Sequence, residues 1–382
     1  MKRVHLKRLT DALFLAVTLI SAVQAGDWLE FAVYETTEDQ QAPDIYGNVI
    51  VWQQLVEGDF DIYCADITNP TEPSVYIIAE FVDDQQGPSI YENIVVWQDY
   101  VETDWDIWAA DINDLSAPQL FAVSEYFNVN EEAPAIHGNT VVWQHDYFVD
   151  RDIAGADITD PCSPAEFPIA AYDFEQQVPA VYRNTVVWQD DYYGDWDLFG
   201  ADIWQRNKPV EFPVSIVEQD QQKPAIWGNI VVWQDDFSGD WDIYAGDITD
   251  PANPVELPIC DNDFSQQNPD IDGNIIVWQD DRHGNWDIYG YNLTTRQEFR
   301  ITDNPYDQTN PAISGNVVVW QDNRSGNRNI YAVILDGVEV ARCASWMPGD
   351  TNGDCKIDFS DIAVLTSQWL ECNLEPQEAC WR

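Results

Sequence analysis

Basic residues are scarce in this 382-residue chain, where 17 Lys and Arg stand against 68 Asp and Glu for a formal net charge of −51. Phosphates repel such a polyanion, which excludes nucleic acid as a partner but leaves cations, basic proteins and neutral sugars free to approach. Histidine is scarce too: beyond His5 there are only His137, His145 and His283. They form no two-histidine metal pair of the Glu-x-x-His or His-x-x-x-His kind, and no nucleophile elbow is found. Long apolar runs are also missing. The one candidate, Ala12 to Val23, is about a dozen residues long, where a membrane span needs about 20. It follows Lys2, Arg3, Lys7 and Arg8 and leads into Val23-Gln24-Ala25, the layout of an export signal cleaved after Ala25. The expectation is a secreted, extracellular or cell-surface protein with no membrane span and with residues 1–25 as its signal peptide.

Cysteine is thin in the body (Cys64, Cys162, Cys260), whereas Cys343, Cys355, Cys372 and Cys380 crowd the end. In an exported chain this suggests local disulfides, whose pairing stays open. The odd total leaves at least one thiol free or paired between molecules.

Aromatic residues are plentiful at 13%, and they repeat. The segment Pro224-Ala-Ile-Trp-Gly-Asn-Ile-Val-Val-Trp-Gln-Asp recurs with its second Trp at Trp52, Trp97, Trp143, Trp188, Trp233, Trp278 and Trp320. A turn follows, then a second motif: Asp61-Ile-Tyr, Asp106-Ile-Trp, Asp152-Ile-Ala, Asp197-Leu-Phe, Asp242-Ile-Tyr, Asp287-Ile-Tyr and Asn329-Ile-Tyr. Such self-similarity decides the architecture before any local pattern does. Each unit reads as four short strands, predicted in the fifth at Pro224–Trp227, Ile230–Gln234, Trp241–Asp247 and Val255–Ile259. Gly228-Asn229 is a two-residue hairpin signal, while Glu92-Asn93 and Arg183-Asn184 rely on Asn for positive φ. The second strand is apolar on both faces, so it must lie between neighbours.

The fold class is therefore all-β: a seven-bladed β-propeller of four-stranded blades spanning residues 27–336. Either Trp28-Leu-Glu-Phe-Ala-Val or Val338-Glu-Val-Ala-Arg supplies the strand that closes the ring. The repeat resembles TolB-like β-propeller repeats, in which a Pro, a Gly turn, an apolar strand and an Ile-Tyr strand recur. That resemblance implies a binding platform, with pectin-fragment lyases and peptidase-associated domains among its relatives.

After a linker at 337–347, residues 348–382 change character. Asp350, Asn352, Asp354, Asp358 and Asp361 place side-chain oxygens at positions 1, 3, 5, 9 and 12 of a twelve-residue loop, with Lys356 where a backbone carbonyl serves. That spacing wraps hard oxygen ligands around Ca²⁺. The following stretch puts Ile362, Leu365 and Trp369 on one helical face, with Ser360 as N-cap and Asp361 near the positive helix end. Loop and helix together resemble half of a dockerin, and residues 348–371 carry the likeness. It implies a cohesin-like or other surface protein as partner, with Phe359 and Ser360 facing it. Cys355 occupies loop position 6, where Gly is usual.

The Asp235-Asp236 and Asp240 column is consistent with turn chemistry or with rim calcium. Trp105, Trp196, Trp241 and Trp286 precede the Asp-Ile-Tyr motif and read as interblade packing or as a stacking platform for sugar rings. The pairs Gln40-Gln41, Gln85-Gln86, Gln176-Gln177, Gln221-Gln222 and Gln266-Gln267 should encircle one mouth of the central channel. The third unit departs most, with Glu131-Glu132, His145 and Ala154. The functional expectation is a propeller without catalysis that binds carbohydrate or protein, with a calcium-dependent docking tail. Its alternatives are a dockerin-bearing polysaccharide hydrolase or lyase, whose paired carboxylates would be singular to one or two blades, and a structural surface protein.

Overall fold

The structure is a computed structural model that describes residues 28–146 and 150–338. The export signal and the calcium loop with its helix, including Asp350, Asn352, Asp354, Lys356, Asp358, Phe359, Ser360 and Asp361, lie outside the described residues. Seven antiparallel four-stranded sheets are found, one per repeat, built from strands β1–β28 in chain order. The fifth blade holds β18 (Gln221–Trp227), β19 (Ile230–Asp235), β20 (Asp242–Asp247) and β21 (Val255–Cys260).

Its first strand starts three residues earlier than the pattern predicts, because the chain runs through a bulge. Register shifts between Gln222 and Ala225, and Lys223 sits at a φ of 56°. The same bulge recurs in every innermost strand: β2 (Gln40–Tyr46), β6 (Gln85–Tyr91), β10 (Glu131–His137), β14 (Gln176–Tyr182), β22 (Gln266–Asp272) and β26 (Gln308–Ser314). These strands touch their neighbours in a closed circle, from β2 round to β26 and back. The last blade joins β26, β27 (Val317–Asp322) and β28 (Asn329–Ile334) to β1 (Leu29–Tyr34), which pairs antiparallel with β28. The N-terminal segment thus takes the fourth place and covers an edge that would otherwise stay unpaired.

Hydrophobic clusters fill the seams between blades rather than the blades themselves. Ile50 and Trp52 of the first blade, for instance, pack with Val319 and Ala332 of the seventh. All seven repeat tryptophans are fully buried. Cross-strand contacts hold them flat, as where Trp52 stacks on Tyr63, Trp233 on Tyr244 and Trp278 on Tyr289. The indole N–H needs an acceptor once buried, and the aspartate two residues on provides it at Trp97–Asp99, Trp188–Asp190, Trp233–Asp235, Trp278–Asp280 and Trp320–Asp322. In the third blade His145 stands at that place, and Trp143 Nε1 has no acceptor.

The glutamine after each tryptophan reaches across the seam. Positive φ at the bulge turns one backbone N–H toward the preceding blade, and the amide oxygens of Gln321, Gln53, Gln98, Gln144, Gln189, Gln234 and Gln279 accept from Ala42, Gly87, Ala133, Val178, Lys223, Asn268 and Asn310 at 2.8–3.2 Å. Seven seams carry seven such clips. Gln53→Met keeps the volume but strands the Gly87 N–H, and is expected to lower stability by about 1–3 kcal/mol in chemical denaturation. Gln53→Glu retains an acceptor and should lose less at neutral pH.

Candidate binding site in the axial channel

The glutamine pairs divide. The first member is buried in the seam in each case, and at Gln85, Gln176, Gln221 and Gln266, as at Gln308 in the corresponding place of the seventh blade, its amide nitrogen donates to the carbonyl two residues upstream. At Gln266 the same nitrogen also donates to Asn262. The second members are only partly buried; Gln177 and Gln222 bond to Glu175 and Asp220. Trp105, Trp196, Trp241 and Trp286 are half-buried. The carbonyls of Trp196, Trp241 and Trp286 accept from the backbone N–H of Gln221, Gln266 and Gln308 in the next blade, and Trp105 packs edge-on against Tyr100. Asp235 caps a turn through the Phe237 N–H, Asp236 accepts from the Asp220 N–H, and Ser238 donates to Asp240. Among the described residues, no three His, Cys, Asp or Glu side chains are arranged to hold a metal. Cys64, Cys162 and Cys260 are free thiols, and only Cys162 is exposed.

A different column lines the channel. The residue before each first hairpin is Tyr46, Tyr91, His137, Tyr182 and Trp227 in blades one to five, and these rings touch in sequence with centroids 4.8, 4.2, 4.6 and 5.6 Å apart. They form an aromatic arc around one mouth. Asp272 and Ser314 complete the circle, accepting from the Gly315 and Gly47 N–H groups at 2.9 and 2.8 Å. Burial and the nearby Arg183 push the His137 imidazole down to about 4, so it stays neutral at pH 7. Arg183 itself lies over Tyr182, 5.4 Å from the ring centroid.

Two residues deeper along these strands, about 7 Å at strand rise, the layer reads Asp44, Ser89, Ala135, Ala180, Ala225, Asp270 and Ala312. Asp44 accepts from the Ile45 and Ile90 N–H groups, and Asp270 from those of Ile271 and Ile313. Each carboxylate thereby ties its blade to the next. Burial, then the charge of Asp44, raises Asp270 to about 7, and burial raises Asp44 as well. The charge of Asp44 thus reaches Asp270, two blades away around the ring. Sequence reading missed this site because it followed the columns conserved in every repeat. The arc becomes visible only when the residue before each hairpin is compared around the ring.

The third unit's departure lies in a seam, not in the channel. Glu131 replaces the buried glutamine; its Oε1 accepts from Ser124 at 2.5 Å, while Oε2 has no partner. Burial chiefly, with Glu166 and Asp106 nearby, raises Glu131 to about 8. Asp106 is itself raised to about 7 by burial, Asp104, Glu125 and Asp99. His145 is half-buried beside this seam, and His283 is 2.9 Å from the Tyr289 hydroxyl.

No protein-family profile and no curated protein sequence matches the chain. Solved structures do. A puromycin-hydrolysing peptidase from Mycobacterium tuberculosis matches 85% of this chain with a TM-score of 0.60 at 12% identity, and the chain spans 58% of that protein's length. The propeller domain of the trilobed protease from Pyrococcus furiosus matches 81% of this chain and 95% of its own, with a TM-score of 0.58 at 13% identity. An oligogalacturonate lyase from Vibrio parahaemolyticus matches 83% of this chain and 96% of its own, with a TM-score of 0.57 at 12% identity. TolB proteins are among the matches as well. The seven-bladed β-propeller of four-stranded blades read from the repeats is the fold found. The expectation of a carbohydrate- or protein-binding propeller without catalysis is corrected, because peptidases recur among the neighbours, including acylaminoacyl peptidase and puromycin hydrolase.

Because Glu131 is raised in the folded state, it favours folding in its protonated form, and that contribution is complete below about pH 4 and lost as pH rises through about 8. Glu131→Gln restores the residue used in most blades. It is expected to change stability little at pH 5 and to raise it on the order of 2 kcal/mol or more at pH 8.5, read from urea midpoints at the two pH values.

Proposed function

We propose that the chain is a peptidase-related propeller that takes up peptides at its axial channel, for hydrolysis at a centre contributed by another domain or chain. The observation that carries this reading is the aromatic arc of Tyr46, Tyr91, His137, Tyr182 and Trp227 around one channel mouth. Ring faces and edges on a rigid collar hold short chains at little entropic cost. The recurrence of peptidases among the structural neighbours supports it, and the length those peptidases have beyond this chain leaves room for a separate hydrolytic domain.

Export through residues 1–25 and a Ca²⁺ loop at Asp350–Asp361 belong to the same proposal. Their support is the apolar run after four basic residues and the spacing of the loop oxygens. The tail's partner would be a surface protein.

Calorimetric titration of short peptides into the full chain tests the channel. Binding is expected, weakened about tenfold or more by Trp227→Ala, with oligogalacturonate failing to compete. Binding of oligosaccharide in place of peptide would overturn the proposal.

A further inference from the structure

Resting on that reading, we propose that the channel mouth recognises a primary ammonium group, held between the ring faces of Tyr91, Tyr182 and Trp227 and the carboxylates of Asp44 and Asp270, so that peptides are gripped by their amino terminus or a lysine side chain. Three independent features converge on one cation. Aromatic faces carry a negative quadrupole that attracts ammonium ions, and here five aromatic groups adjoin around a mouth. Below them the lumen is walled by methyl groups, Ser89 and two aspartates. Each aspartate oxygen accepts one backbone N–H, Asp44 is also hydrogen-bonded by Ser89, and a carboxylate oxygen has room for a second donor. No basic side chain figures among the influences on either carboxyl group.

The gap in the arc falls at Asp272, two residues along β22 from Asp270, and at Ser314 in the next blade, so the polar side of the collar and the deeper carboxylate share one wall. A group with an apolar stem and a charged tip matches this gradient. Arg183 over Tyr182 shows that a ring of the collar accepts a cation on its face. The field of the whole chain favours delivery, since no Lys or Arg occurs between Leu9 and Asp150.

Four probes titrated calorimetrically into the full chain test this: trialanine amide, its N-acetyl form, N-acetyl-Ala-Lys-Ala amide and n-butylammonium. The expected result is binding of trialanine amide, butylammonium and the lysine peptide, at least tenfold above N-acetyl-trialanine amide. Which of the two peptides binds more tightly identifies the amino terminus or the lysine side chain as source. The Asp44→Asn, Asp270→Asn double variant retains an oxygen for one backbone N–H at each site and should weaken binding at least tenfold; Trp227→Leu is the second variant should the first fail to fold. Equal binding of the acetylated peptide would sink the ammonium site while leaving peptide uptake intact. Binding of butylammonium with no peptide bound would keep the site and refute peptide uptake, and absence of all binding would refute both.

Discussion

A glutamine amide oxygen crossing each seam to a backbone N–H at positive φ is the contact on which the ring depends. A blade buries neither face alone, so its stability resides in the two seams it shares. Hydrophobic packing there is strong but non-directional. The glutamine clip adds direction: it fixes one atom of one blade against one atom of the next, and leaving that N–H unmade in a dry seam costs more than the bond contributes. The bulge that presents the N–H puts even Val178 at a φ of 52°, a conformation that β-branched residues rarely adopt. Seven such seams close only because β1 covers β28.

Electrostatics divide the ring unevenly. In the sixth and seventh blades Arg282 and Arg324 pair with Asp280 and Asp322, reach across to Glu298 and Glu30, and lie 4.1 Å over Tyr289 and Tyr331. Arg300 pairs with Asp287. The first two blades have no Lys or Arg, and burial there, with neighbouring carboxylates, raises Asp61 and Asp106 to about 7. Buried carboxylates without partners are costly in charged form, which is why protonation, rather than ion pairing, accommodates them.

The channel and the seams also separate two uses of aromatic residues. The repeat tryptophans and the Ile-Tyr rings are structural, locked by cross-strand stacking and indole hydrogen bonds. Rings of the collar are half-buried and vary from blade to blade, as recognition elements on a rigid scaffold do. Peptide uptake fits this division, because a hydrolase needs from a propeller a shaped entrance rather than a reactive group.

From sequence alone came the all-β class, the blade number, the hairpin after each inner strand, and the strand Trp28–Val33 as one of two candidates to close the ring. Periodicity determines these, since a 45-residue unit with a doubly apolar strand leaves few ways to bury itself. Choosing between the closing strands required tertiary structure, because both segments have the same local pattern. So did the bulge, which moves the start of each inner strand and buries the first glutamine of each pair. The binding site was least legible. Its residues come from different blades, about 45 positions apart along the chain, and only closure of the ring brings Tyr46 beside Tyr91 and Asp270 within reach of the charge on Asp44.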